Sequence, residues 1–234
     1  ELRLSAPDTG ELIRVTHELI QRNGLGEGTV YYQVTRGVHA PRAHAFPAGA
    51  VEPTVLVLTH ALPPEALAEN ERRRQEGVTG ITVPEQRWAR CDIKSVSLLP
   101  NVLAKQQAAE QGAYEALFVR DGFVIEGSSS NLFAVIDGAI VTYPACNYIL
   151  NGIARQRVIR DARKLGYTVL EQGIPLEALT RCQELFVTST TAEVMPLVAV
   201  DGRAIGDGKV GPVVRALQEA YRAVFSMSMR MNHS

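Results

Sequence analysis

The residues able to do covalent chemistry cluster in two short stretches of this 234-residue chain. The first is Cys91-Asp92-Ile93-Lys94-Ser95-Val96-Ser97-Leu98-Leu99, which sets one lysine in a largely apolar run. Such a lysine has two readings. Its ammonium can snorkel to water on an apolar stem, the better fit for this stretch taken alone. Alternatively, burial lowers its pKa and leaves a neutral amine, the nucleophile that condenses with carbonyls. The second stretch is Glu126-Gly127-Ser128-Ser129-Ser130-Asn131-Leu132-Phe133, where a glutamate ends one strand, small hydroxyl residues turn the chain and Asn131 opens the next. A carboxylate in that position can hold the protonated nitrogen of a heterocycle. The turn is not a serine-hydrolase elbow, because the G-x-S-x-G pattern fails at Ser130-Asn131.

Two further segments suit anions. Leu150-Asn151-Gly152-Ile153-Ala154-Arg155 opens an amphipathic helix whose first N–H groups and dipole favour a phosphate. The strand Glu184 to Thr188 ends in Ser189-Thr190-Thr191, presenting hydroxyls where Glu193-Val194-Met195-Pro196 is expected to turn away. Arg42 and His44 stand two apart, so an extended backbone would point both to one face and make a carboxylate clamp. Read from the residues alone, the simpler account of that segment is a solvated loop.

The elements that must carry these groups are those of a mixed α/β chain. A helix is expected over Glu11 to Arg22, and strands over Thr29 to Thr35 and Val55 to Thr59. A polar segment, Pro63 to Glu76, reads as a short helix or linker and puts a domain boundary near residue 75, dividing the chain into 1–75 and 76–234. Beyond it come a strand at Val78 to Val83 and a helix over 101–111 with Pro100 at its start. A hairpin around Arg120-Asp121-Gly122 and a C-terminal helix from Pro212 to Phe225 follow.

Composition removes other classes. Lys plus Arg is 24 against 25 for Asp plus Glu, so no net field draws nucleic acid or an acidic membrane. No apolar run reaches the ~18 residues of a membrane span. Cys91, Cys146 and Cys182 are few and scattered, as reduced thiols of a cytoplasmic protein are, and with the five histidines they show no metal-binding spacing. There is no G-x-x-x-x-G-K-[ST] loop and no G-x-G-x-x-G after a strand. What remains is an amine, a carboxylate beside small hydroxyls and two phosphate-type segments, the set that pyridoxal 5'-phosphate requires.

The motifs VTRG, PRAHAFP, RCDIKSVSLL, VLAKQ, EGSSSNLF, ILNGIAR, LFVTSTTAEV and DGKVG, in that order, run over essentially the whole chain. In them it resembles the fold-type IV pyridoxal-phosphate aminotransferases, most closely the D-amino acid transaminases. The resemblance implies a two-domain α/β fold: a small N-terminal domain, and a larger cofactor-binding domain with a barrel-like sheet. It implies that Lys94 is the Schiff-base lysine, that Glu126 partners the pyridine nitrogen, and that Arg87 and Asn131 stand behind Glu126. Ser129 would be the active-site serine and Leu150 would pack on the ring. The phosphate would lie on the backbone of Gly152, Ile153 and Ala154, with Thr190 and Thr191. Arg42 and His44 would grip the α-carboxylate of a D-amino acid, whose nitrogen passes to a 2-oxo acid. A homodimer is implied, in which the Arg42 loop reaches the partner's site. Branched-chain aminotransferases and aminodeoxychorismate lyases share the lysine and glutamate motifs, and remain alternatives along with a non-catalytic remnant. Ala154 departs from the usual threonine. The family's chains also begin with further strands carrying a tyrosine and a phosphate-binding arginine, which the resemblance places ahead of Glu1.

Overall fold

Helix α1 (Thr9–Arg22) starts where Asp8, in an extended conformation, accepts a hydrogen bond from the Glu11 N–H at 2.8 Å. The computed structural model to which it belongs describes the backbone of residues 1–231 and side chains through Ala223. It falls into two compact units, Glu1–Glu69 and Asn70–Ser234.

In the first unit, β1 (Gly28–Thr35) and β2 (Thr54–Ala61) pair antiparallel from Gly28↔Ala61 to Thr35↔Thr54. The 18 residues between them, 36–53, form bends and coil. Arg42 and His44 lie there, exposed. None of the described residues 1–69 is fully buried. Helix α2 (Pro64–Glu76) is continuous, and the division between the units falls inside it.

The second unit is built on a ring of strands. In chain order these are β3 (Val78–Pro84), β4 (Glu115–Arg120), β5 (Phe123–Gly127), β6 (Asn131–Ile136), β7 (Ala139–Thr142), β8 (Val169–Glu171), β9 (Ile174–Pro175), β10 (Glu184–Ser189), β11 (Glu193–Val200) and β12 (Arg203–Ala204). Helix α3 (Leu99–Glu110) precedes β4, α4 (Ile153–Lys164) precedes β8, and α5 (Pro212–Met231) ends the described chain. The order β6-β10-β11-β3-β4-β5 closes because β5 also pairs with β6. The closing pair is Glu126↔Asn131. Parallel β3 and β4 need a long crossover. The segment 85–114 supplies it and carries both the lysine loop and α3.

Alternation along the strands sorts side chains to the two faces of the ring. Leu117, Val124, Leu132, Leu185, Val187 and Met195 belong to one apolar cluster, which fills the interior. Phe133 and Phe186 face out beneath α4 and α5, their rings stacked at 5.0 Å. Ile81, Phe118 and Ile125 face out beneath α3, against Ala104 and Ala108.

One expectation fails here. Glu193 to Pro196 do not turn away, but form the first half of β11, paired with β10 from Ser189↔Glu193 to Phe186↔Pro196. The proline is tolerated because the partnership with β3 begins only at Leu197, so one side of the strand is open at Pro196. Strands β7, β8, β9 and β12 carry too few residues to show in the sequence pattern.

Candidate active site

Glu126 would face the barrel interior if β5 alternated regularly from Val124, which does. It does not, because the register jumps from Val119↔Val124 to Phe118↔Glu126, leaving Ile125 as a bulged residue. Bulges re-aim side chains, and this one turns Glu126 outward beside Phe118. There it is 4% exposed. Its Oε1 accepts from Arg87 Nη1 at 2.5 Å, and its Oε2 from Asn131 Nδ2 at 3.0 Å and the Leu150 N–H at 3.2 Å. A carboxylate has about four acceptor positions, so three donors leave room for one more.

Arg87 is itself buried. Its Nε and Nη2 donate to Glu85, at distances down to 2.6 Å, and its guanidinium lies 4.2 Å over the Phe118 ring. The chain folds this way locally because the Arg87 N–H also donates to Glu85 Oε1 at 2.7 Å, closing a tight turn after β3. Two buried carboxylates thus share one guanidinium. Burial pushes the Glu126 carboxyl up to about 7, against the opposing pull of Arg87. Burial also opposes the Arg87 charge, but Glu85 and Glu126 outweigh it and raise its pKa. The triad lacks one positive charge.

Asn131 joins this carboxylate to the next segment. Its Nδ2 also donates to the Leu150 carbonyl at 2.7 Å, fixing the turn Leu150-Asn151-Gly152 that begins α4. A Cβ on Gly152 would fall 2.4 Å from Asn131 Oδ1, so close an approach that only glycine fits. Helix α4 has no side-chain cap, and its ladder of internal bonds opens with the Gln156 N–H donating to the Gly152 carbonyl. The N–H groups of Ile153, Ala154 and Arg155 precede that bond and point outward from a positive helix end. Arg155 is 2% exposed, and anchors the turn through Asn151 Oδ1 at 3.0 Å, the Tyr143 carbonyl at 2.8 Å and Glu171 at 2.8 Å.

The register carries the row one strand further, since Asn131 pairs with Thr188 of β10. Directly paired residues share a face, so Glu126, Asn131 and Thr188 line one outer edge across three strands. The Thr188 hydroxyl is buried there with no hydrogen-bond partner among the described residues. Thr190 and Thr191 follow in the exposed turn to β11.

Other expected residues stand apart from this row. Lys94 is exposed, not buried, on coil in the β3–β4 crossover. It is solvated because it points from a loop that packs through Cys91, whose N–H donates to the Asn147 carbonyl at 2.8 Å, and not through the lysine stem. Its amine has no hydrogen bond or ion pair among the described residues. Arg42 and His44 belong to the first unit. The hydroxyl of Ser129 points to Glu115 Oε2, at 3.3 Å, and not to Glu126. Glu85 and Glu115 were not among the residues expected at the site. A signal for Glu115 existed, since it alternates with the inward-facing Leu117 and Val119, and a charge on an inward face needs partners.

This donor set fits pyridoxal 5'-phosphate. Glu126 has one acceptor position open and shares its ion-pair partner Arg87 with a second carboxylate, Glu85. An uncapped helix start and a buried hydroxyl unpartnered among the described residues lie along the same edge. An amine free of other bonds lies in the crossover.

The profile of the family described as amino-transferase class IV matches residues 3–200. A D-alanine aminotransferase of Staphylococcus aureus is 44% identical over 212 residues, covering 90% of this chain and 73% of the relative. That of Bacillus licheniformis is 41% identical over 210 residues, covering 90% and 72%. Among solved structures, the T.th. branched-chain amino acid aminotransferase with pyridoxamine 5'-phosphate superposes with a TM-score of 0.81 at 33% identity, covering 95% of this chain and 74% of that one. The branched-chain enzyme from Escherichia coli gives 0.78 at 26%, covering 95% and 73%.

Proposed function

Because the chain belongs to the class IV amino-transferase family, we propose that it transfers the amino group between a D-amino acid such as D-alanine and a 2-oxo acid such as 2-oxoglutarate, using pyridoxal 5'-phosphate. The observation that carries the site is the buried Glu85–Arg87–Glu126 triad, short of one positive charge, with Glu126 raised to about 7. A protonated ring nitrogen supplies the missing charge. The preference for D-substrates follows the D-alanine aminotransferases, which match nine tenths of the chain.

When bound, the cofactor supplies an aldehyde that captures an amine and a ring that takes up the electron pair released at the substrate Cα. The chain's own residues do the rest. Lys94 provides the amine that holds the cofactor, and then moves the proton at Cα, as base and afterwards as acid. Glu126 keeps the proton on the ring nitrogen, Arg87 and Asn131 fix the orientation of its carboxylate, and Leu150 packs on the ring. The N–H groups of Ile153 and Ala154 bind the phosphate, with the hydroxyls of Thr190 and Thr191. Arg42 and His44, exposed and without side-chain partners among the described residues, take the substrate carboxylate.

The functional unit is a homodimer in this reading. Leu99, Val102 and Leu103 of α3, each more than half exposed, lie at i, i+3 and i+4 and make an apolar stripe that a second copy covers. No helix of the described residues is long and apolar enough to cross a membrane. The test is turnover of D-alanine with 2-oxoglutarate to pyruvate and D-glutamate, with L-alanine as control. Lys94→Ala should abolish multiple turnovers. Near wild-type turnover by that variant would remove the assignment.

A further inference from the structure

The residue that organises the Ser128-Ser129-Ser130 turn is Glu115, at the start of β4. It is 1% exposed, on the inward face of the strand at the mouth of the barrel. Its Oε1 accepts from the Ala116 N–H at 3.0 Å and from the Ser128 hydroxyl, and its Oε2 from the Ser130 hydroxyl at 2.7 Å and the Ser129 hydroxyl at 3.3 Å. All three serine hydroxyls donate to this carboxyl group, so the single proton of each is directed inward. Gly127 permits this packing. A Cβ there would lie 3.0 Å from Glu115 Cγ and Cδ and 2.3 Å from Ser130 Oγ. The backbone of the turn is held as well, by Gly127 N–H to Ser130 O and by Ser128 N–H to Ala116 O, both 2.8 Å.

Helix α3 reads the same cluster from outside with two residues one turn apart. Asn101 Nδ2 donates to the Ser128 carbonyl at 2.8 Å, and Lys105 Nζ stands 3.6 Å from Glu115 Oε1. Since α3 follows directly on the loop of Lys94, one buried carboxylate ties the serine turn to the helix that ends the lysine loop.

We propose that Glu115 is a positioning residue, which fixes the Ser128–Ser130 turn against α3 and thereby sets the cofactor affinity of the site. The proposal rests on the functional reading above for its affinity part alone. Glu115→Gln keeps the size and the Oε1 acceptor, but presents an N–H₂ group to the hydroxyls of Ser129 and Ser130. The dissociation constant for pyridoxal 5'-phosphate should rise about tenfold, the effect of one charge-assisted bond. In a background with Ser128, Ser129 and Ser130 all changed to alanine, adding Glu115→Gln should change it less than twofold, because a residue acting through the serines has nothing left to act on.

A second readout needs no cofactor. Amide hydrogen exchange in residues 127–131 of the apoprotein should quicken at least tenfold in Glu115→Gln, while β10 and β11 keep wild-type protection. Ser130→Ala, which leaves Glu115 its other donors, should shift both quantities in the same direction by less. Equal effects of Glu115→Gln with and without the serines, or unchanged exchange in the turn, would overturn the proposal. A wild-type chain that binds no pyridoxal phosphate would overturn the functional reading instead, and exchange would still decide whether Glu115 fixes the turn.

Discussion

Gly152→Ala tests how the site is held together. Gly152 has φ −61° and ψ 146°, a conformation alanine adopts freely, so no backbone strain enters. The effect is steric. The new methyl would lie 2.4 Å from Asn131 Oδ1 and 3.7 Å from Asn131 Cγ, while Arg155 Cβ, the nearest atom of another residue, is 3.9 Å away, an ordinary contact. Asn131 has to swing, giving up its bonds to Glu126 Oε2 at 3.0 Å and to the Leu150 carbonyl at 2.7 Å. A hydrogen bond to a charged group contributes about 1.5–3 kcal/mol and a neutral one about 0.5–1.5, so the loss is roughly 2–4 kcal/mol. At roughly 2–4 °C per kcal/mol for a domain of this size, thermal unfolding of the apoprotein should fall by roughly 5–15 °C. In an Asn131→Ala background the obstacle is gone, and adding Gly152→Ala should cost less than about 0.5 kcal/mol. Equal costs in both backgrounds, or a Gly152→Ala protein as stable as wild type, would refute the coupling of Glu126 to the start of α4 through Asn131.

The raised pKa of Glu126 carries a sign. The folded chain binds this proton more tightly than the unfolded chain, whose carboxyl titrates near 4.5, so the associated stability is present at low pH and is lost as pH rises through about 7. The apoprotein should lose up to about 1.4 kcal/mol per pH unit between those values, and Glu126→Gln should flatten that slope in urea titrations. An unchanged slope would mean that Glu126 is ionised throughout. Arg42→Ala should raise the KM for D-alanine by at least about tenfold, the worth of a bidentate ion contact, and leave cofactor affinity unaltered. A rise in the cofactor dissociation constant instead would place Arg42 elsewhere. Replacing Leu99, Val102 and Leu103 of α3 with serine should halve the mass seen by sedimentation; an unchanged mass would remove the stripe as the subunit contact.

Much of this was legible in the chain. The runs TVYYQVT and ELFVTS are β-branched and apolar, and they became β1 and β10 within a residue of expectation. The EGSSSN segment shows a strand end, a turn and a strand start because its residue types punctuate so clearly. What stayed hidden depends on long-range register. The bulge at Ile125, which aims Glu126 outward, exists only because β5 meets β4 out of step. Glu115 alternates with inward-facing apolar residues, but the serine hydroxyls and the lysine that meet it come from the turn after β5 and from α3. Glu85 lies two residues from Arg87, with nothing in the local sequence to show that the pair is buried. Pro196 reads as a strand breaker until β11 is seen to have an open side there. Lys94 sits in a largely apolar run and yet is exposed, because the run belongs to a crossover loop and not to a packed element.

The central claim is that this chain holds pyridoxal 5'-phosphate through Lys94 and Glu126 and takes amino groups from D-substrates. The most direct measurement is the visible absorption of the purified chain titrated with pyridoxal 5'-phosphate, then with D-alanine or L-alanine. The account predicts a saturable band above 400 nm, absent in Lys94→Ala, that D-alanine bleaches with one pyruvate released per site and that L-alanine leaves intact. A band that persists in Lys94→Ala, or one that both enantiomers bleach alike, would contradict it.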